Sequence, residues 1–163
     1  MKGARVFLVG TLWLLACAGC ATPKSKEDFT PVQARLFLES TDHGALSVKL
    51  PRSGVSVAVS TRAVITEGDI VNAEVAQVEM GRCLLLQVTP AAARDLFRLT
   101  ASNQGRRLVL TLNDVALGAR QITAPFAEGA VLIFVEIDDA ALDTLVKNLK
   151  ATAVILQREI ARK

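Results

Sequence analysis

Between Ala34 and Ile137 the chain is cut into short apolar runs by turn-forming residues, a pattern that an all-helical architecture cannot accommodate. Ala34–Glu39, Leu46–Leu50 and Val55–Val59 are aliphatic or β-branched, and Asp42-His43-Gly44 and Pro51-Arg52-Ser53-Gly54 separate them. Thr66-Glu67-Gly68-Asp69 has the pattern of a capping box and predicts a short helical turn before Ile70. Val75, Val78 and Met80 lead into Leu84–Val88, which predicts a strand pair across Gly81-Arg82. Arg107–Leu112 reads as a strand turned by Asn113-Asp114 into a partner at Val115–Ile122, and Val131–Ile137 reads as another.

Two segments break this rhythm with helical periodicity. Thr89 is placed to cap the first and Pro90 to occupy its first turn, where the missing N–H is not needed. Ala93, Leu96, Phe97 and Thr100 then share a face, which predicts Leu96 and Phe97 in the core, and Gly105 marks the stop. Asp138 or Asp139 caps the second, whose apolar positions are Leu142, Leu145, Val146, Leu149, Leu156 and Ile160. Hairpins rather than crossovers link the strands, so the expected class is α+β: a mainly antiparallel sheet with two helices packed on one face, ferredoxin-like in topology.

The N-terminus follows different rules. Lys2 and Arg5 precede an apolar run, Val6–Ala16, that has the length of a signal-peptide core and falls short of the roughly 20 residues needed to span a bilayer. Small residues and thiols follow, and the pattern resembles the bacterial lipobox. In Leu14-Leu15-Ala16-Cys17 an aliphatic residue stands three before the cysteine, which favours Cys17 as the lipid acceptor; Cys17-Ala18-Gly19-Cys20 keeps Cys20 as the alternative. The expected organisation is a lipoprotein signal over residues 1–20, a linker over 21–31 and one domain over 32–163. The expected location is the cell envelope, lipid-anchored and facing the periplasm. With no aspartate after either cysteine, the outer membrane is favoured in a Gram-negative host.

Charge and chemistry exclude several classes. The chain has 19 basic and 16 acidic residues; without Lys2 and Arg5 the basic count falls to 17, so the balance is no footprint for nucleic acid. His43, the only histidine, lies in a polar turn; the Cys17–Cys20 spacing belongs to the lipobox-like segment, and no His/Glu spacing makes a metal site. The neighbouring carboxylates Glu67/Asp69 and Asp138/Asp139 fall where helix N-termini favour negative charge. Asp95 and Arg98 have the spacing of a surface pair, and Cys83 lies in an apolar strand as an inert thiol. No enzyme, cofactor or metal function is expected.

From about Val55 to Lys150 the chain resembles the first periplasmic domain of SecD, a subunit of the Sec protein-export machinery. Val64–Ile70 with Ala73, Leu86–Phe97, Thr100–Leu110 and the Asn113–Ile122 hairpin resemble that family's local patterns in the same order, and Gly129-Ala130 with the closing helix completes them. There are departures. The family's hairpin proline is absent from Ala119-Arg120-Gln121-Ile122, and the six membrane-spanning helices of SecD have no counterpart in this sequence. The resemblance therefore implies no proton-driven motor. It implies a non-catalytic binding module whose partner is an unfolded or exported protein, or an envelope or translocon component. A structural scaffold subunit of an envelope assembly, with no client, is the alternative. Asn113, Val115, Leu117 and Ile122 are the expected partner-binding edge, because an edge strand accepts an extended chain.

Overall fold

Strand β1 (Ala34–Glu39) carries apolar residues on both of its faces, so it belongs in the middle of a sheet. The computed structural model, which describes residues 30–162, places it there. β1 pairs antiparallel with β3 (Ser56–Ile65) on one side and with β6 (Arg107–Leu112) on the other. β2 (Leu46–Lys49) adds outside β3 and β7 (Val115–Gln121) outside β6, giving the order β2-β3-β1-β6-β7. A second sheet has the order β4-β5-β8, from Ile70–Val78, Gly81–Val88 and Ala130–Ile133. The fold is α+β and its strand pairings are antiparallel, as the hairpin pattern requires. The single ferredoxin-like sheet of the sequence reading is instead divided in two.

Local chemistry explains the elements. Asn113 and Asp114 both have positive φ (48° and 66°), so this pair makes the tight turn that joins β6 to β7. Thr66 and Asp69 complete their capping box around a single 3-10 turn, Glu67–Asp69, with Asp69 Oδ2 accepting from the Thr66 N–H at 2.9 Å. Helix α1 (Pro90–Ser102) begins where Thr89 Oγ1 accepts from the Ala92 N–H at 3.3 Å. Helix α2 (Asp139–Ile160) follows Asp138 and packs chiefly against β4, and Gln157 donates to the Gly68 carbonyl at 2.9 Å.

The core has two parts. The larger lies between the sheets and helices and is drawn from Val32 through Leu149, with Leu36, Leu84, Leu86, Leu108, Leu110, Ile122 and Ile133 fully buried. The smaller, built on Leu50, Val57, Val59, Val109 and Ala116, fills the other face of the five-stranded sheet. That sheet curls until β2 and β7, at opposite ends of its order, come into contact. Strand β3 serves both cores. Val57 and Val59 enter the smaller and Ile65 the larger, although all three have the same parity. Register shifts opposite Leu36–Glu39 rotate the strand between them, as an extra residue in a ladder must. Among the described residues, every member of both buried clusters lies between Val32 and Leu149.

Three sequence expectations need correction. Phe97 is 47% exposed, because α1 buries Ala92, Leu96 and Thr100 instead. Thr100 sets that rotation: its hydroxyl donates to the Leu96 carbonyl at 2.7 Å and accepts from the Phe126 N–H at 2.9 Å, which satisfies it in the interior. On α2 the buried line is Leu142, Val146, Leu149 and Ala153, while Leu156 is half-buried and Ile160 is 52% exposed. Finally, β8 stops at Ile133, four residues before the predicted end. The signal segment, both candidate lipid acceptors Cys17 and Cys20, and most of the linker lie outside the described residues.

Candidate functional site: the seam between the two sheets

Strands β7 and β8 each end a sheet, and their free edges face each other. They touch at one point. Gly118 bridges Val135, and the Glu136 N–H donates to the Leu117 carbonyl at 2.7 Å. Only glycine fits at 118: a Cβ there would sit 2.3 Å from the Phe134 carbonyl oxygen. On one side of this contact the seam is clamped. Glu136 Oε2 accepts from the N–H groups of Arg52 and Ser53 at 2.7 and 2.9 Å, and Arg52 pairs with Asp138. Partial burial opposes ionisation of Glu136, yet the hydrogen bonds from the 52–53 turn hold its carboxyl below the usual range.

On the other side the seam opens. Ile122 N–H donates to Arg106 O and Ile122 O accepts from the Gly105 N–H, so alternation along β7 turns the backbone groups of Gln121 outward. Arg120 reaches across and donates to the Leu132 carbonyl at 2.7 Å, where a paired strand would place an amide. Its guanidinium also lies 4.8 Å from the centre of the Phe126 ring, a cation–π distance. A groove of about 400 Å³ runs along this opening, floored by Cys83, Ala119 and Leu132 and walled by Met80 and Phe134. Met80 is 80% exposed and Phe134 37%, so two large apolar side chains flank the open stretch. Cys83 is fully buried and free; burial pushes its thiol up, and Arg120 pulls the other way.

The predicted edge residues are distributed unevenly over this seam. Val115 is exposed. Asn113 is exposed but occupied, with its side-chain oxygen accepting from the Gln33 N–H at 2.9 Å. Leu117 is half-buried and its carbonyl belongs to the clamp. Ile122 is fully buried in the larger core and hydrogen-bonded toward β6, so it presents no surface to a partner. The open part of the edge is Ala119–Gln121, together with Met80 and Phe134. Both flanking residues stand in runs that read as strand, and only the break after Ile133 and the turn before Gly81 expose them.

Other predicted features fall where their chemistry places them. His43 is exposed in its turn, and Asp95 and Arg98 are 3.7 Å apart on the surface of α1. Glu67 does more than cap: it pairs with Arg35 across 2.9 Å. Among the described residues no group of three or more His, Cys, Asp or Glu side chains is arranged to hold a metal ion, and no helix is long and apolar enough to cross a membrane. A second open groove, of about 600 Å³, lies between α1 and residues 126–129, with Phe97, Arg94 and Arg98 on its rim.

No protein-family model matches this sequence, and no curated protein does either. Solved structures similar in fold include two of SecDF. A crystal structure of SecDF in its super-membrane-facing form matches 74% of this chain with a TM-score of 0.58 and 15% identity. A structure of SecDF as a membrane component that enhances protein export matches 74% of it with a TM-score of 0.57 and 14% identity. The chain has a SecD-like fold. It spans 19% of the first of those chains and 63% of the second.

Proposed function

We propose that this protein is a lipid-anchored, SecD-like binding module of the cell envelope, and that it receives an extended segment of an exported or unfolded protein, or of an envelope or export component, at the open half of the β7–β8 seam. The observation that carries this reading is the pairing of an outward-turned strand edge at Gln121 with Met80 and Phe134, which stand exposed on either side of it. Backbone groups on an edge supply affinity for any extended chain, and flanking apolar side chains select among sequences. A scaffold has no need of such a groove. The fold likeness to SecDF and the thiol-bearing N-terminal pattern support an export setting and a tether through Cys17 or Cys20. A tether raises the effective concentration of weak sites near the membrane.

The test is titration of a permanently unfolded model protein against the domain, with Met80→Asp/Phe134→Asp and Gln121→Pro as variants. Saturable binding in the micromolar range is expected. Both variants should weaken it, while the thermal midpoint stays nearly unchanged. Undetectable binding at high micromolar concentration would leave the scaffold reading in its place. Undiminished binding by both variants, but loss in Phe97→Ala, would move the site to the groove beside α1.

A further inference from the structure

Helix α2 buries Leu142, Val146, Leu149 and Ala153, and at 100° per residue the side away from that line carries Lys147, Ala151, Val154, Ile155 and Arg158, with Arg162 following in the turn just past the helix end. Val154 is 47% exposed and Ile155 41%, two branched apolar side chains in water on the outside of a helix. Lys147 and Arg158 bracket them, and one acidic residue, Glu159, stands at the edge of the same face one turn beyond Ile155. Along the helix the stripe runs roughly 16 Å from Lys147 to Arg158. Basic residues bracketing an apolar patch on one helical face make a surface that fits the interface of an anionic bilayer, with the aliphatic groups among the acyl chains and the cations among the phosphates.

The path of the chain points to the same occupant. The Val32 N–H donates to Thr152 Oγ1 at 3.2 Å, so the polypeptide enters the domain beside α2, within one turn of Ile155. From Cys20 to Val32 is a stretch that reaches roughly 40 Å at full extension. A lipid on Cys20, or on Cys17 with a reach of roughly 50 Å, would thus keep this end of α2 within reach of the headgroups, a step that rests on the anchoring proposed above.

We infer that the outer face of the C-terminal half of α2 lies on an anionic phospholipid surface, orienting the domain on the membrane independently of the anchor. Each basic side chain near such a surface contributes about a fivefold factor in affinity. Docking would hold α2 against the bilayer and leave the seam, built from β7, β8 and the β4–β5 turn, to meet a partner.

The experiment uses residues 30–163, which hold both buried clusters and lack both acceptor cysteines, so its outcome does not depend on whether the anchor exists; a native-like circular dichroism spectrum with a cooperative thermal transition is required of this fragment first. Sedimentation with vesicles of phosphatidylcholine alone and of phosphatidylcholine with 30% phosphatidylglycerol reads binding directly. Binding only to the anionic vesicles is expected, falling with added salt. Arg158→Glu/Arg162→Glu should reduce it about thirtyfold or more, and Val154→Ser/Ile155→Ser should reduce it while the far-ultraviolet circular dichroism spectrum is kept. Absence of binding to either vesicle by the folded fragment, or equal binding to both, overturns the inference; so does anionic binding that the α2 variants leave intact. The anchor stands or falls separately, on whether labelled palmitate is incorporated by the full chain and lost in Cys17→Ser or Cys20→Ser.

Discussion

Replacing Gly118 by alanine tests the seam with a single methyl group. The added carbon would lie 2.3 Å from the Phe134 carbonyl oxygen, 3.1 Å from Ile133 Cγ2 and 3.2 Å from the Phe134 carbonyl carbon. Carbon–oxygen contacts settle near 3.3 Å or beyond, so the strands must part by roughly 1 Å. Overpacking of this kind costs about 1–3 kcal/mol. Parting the strands also weakens the Glu136–Leu117 hydrogen bond, worth about 1 kcal/mol. Against this, Gly118 is outside the left-handed region, so alanine meets no backbone strain, and stiffening the unfolded chain returns about 0.4–1 kcal/mol. The net expectation is a loss of about 1.5–3 kcal/mol. Gly44, which has open space around it and no positive φ, is the matched control and should change stability by less than about 0.5 kcal/mol. Urea unfolding followed by circular dichroism suits the measurement, because it reads the backbone of both sheets directly and the chain's one tryptophan, Trp13, lies outside the described residues. A Gly118→Ala protein as stable as the parent, or more so, would show that the seam is not a closed contact.

Two further outcomes follow from the core and its ion pairs. Leu96→Ala should cost about 2–5 kcal/mol and Phe97→Ala less than about 1 kcal/mol in the same urea assay, reversing the order that side-chain size alone would predict. Glu39 should contribute to acid sensitivity: its hydrogen bond with the Arg107 guanidinium holds its pKa below the ordinary 4.5 against partial burial. A depressed carboxylate stabilises the fold above its unfolded pKa and loses that contribution as pH falls through the folded one. The stability difference between the parent and Glu39→Gln should therefore be largest near neutrality and shrink below about pH 4.5; a difference constant from pH 7 to pH 3 would exclude this linkage.

The elements were legible wherever local chemistry decides them. Asn113-Asp114 marked its turn, Thr89-Pro90 its cap and Thr66–Asp69 its box, each because a side chain or a backbone preference acts within four residues. Partnership between strands carries no such mark. Nothing near β5 announces β8 as its neighbour, and β8 is brought there only after α1, β6 and β7. The division into two sheets was hidden for that reason, and so was the seam, which needs the edges of both. The misread face of α1 has a different origin. Thr100 shares the expected face with Phe97, but its hydroxyl is satisfied inside by Leu96 and Phe126, and this long-range bond turns the helix so that Phe97 falls on the rim. Met80 and Phe134 were invisible as site residues because an apolar residue beside a strand reads as more strand.

The interleaving of the two sheets bears on how the chain can acquire its structure. β1 lies opposite β6, pairing Leu38 with Leu108 and Ala34 with Leu112, while β4, β5 and α1 of the intervening segment belong to the other layer or its cover. Neither sheet is a contiguous stretch of polypeptide, so neither can be completed while the remainder is withheld. A chain delivered progressively from its N-terminus presents β1 and β3 long before β6 arrives to complete them, and these early strands wait as an exposed hairpin. Closing so wide a loop precedes any reward from the contacts it allows, which makes acquisition of the native state slow and all-or-none. Cleavage between the sheets would yield no stable half. A polypeptide wired in this way gains its rigidity only when the last strand is in place.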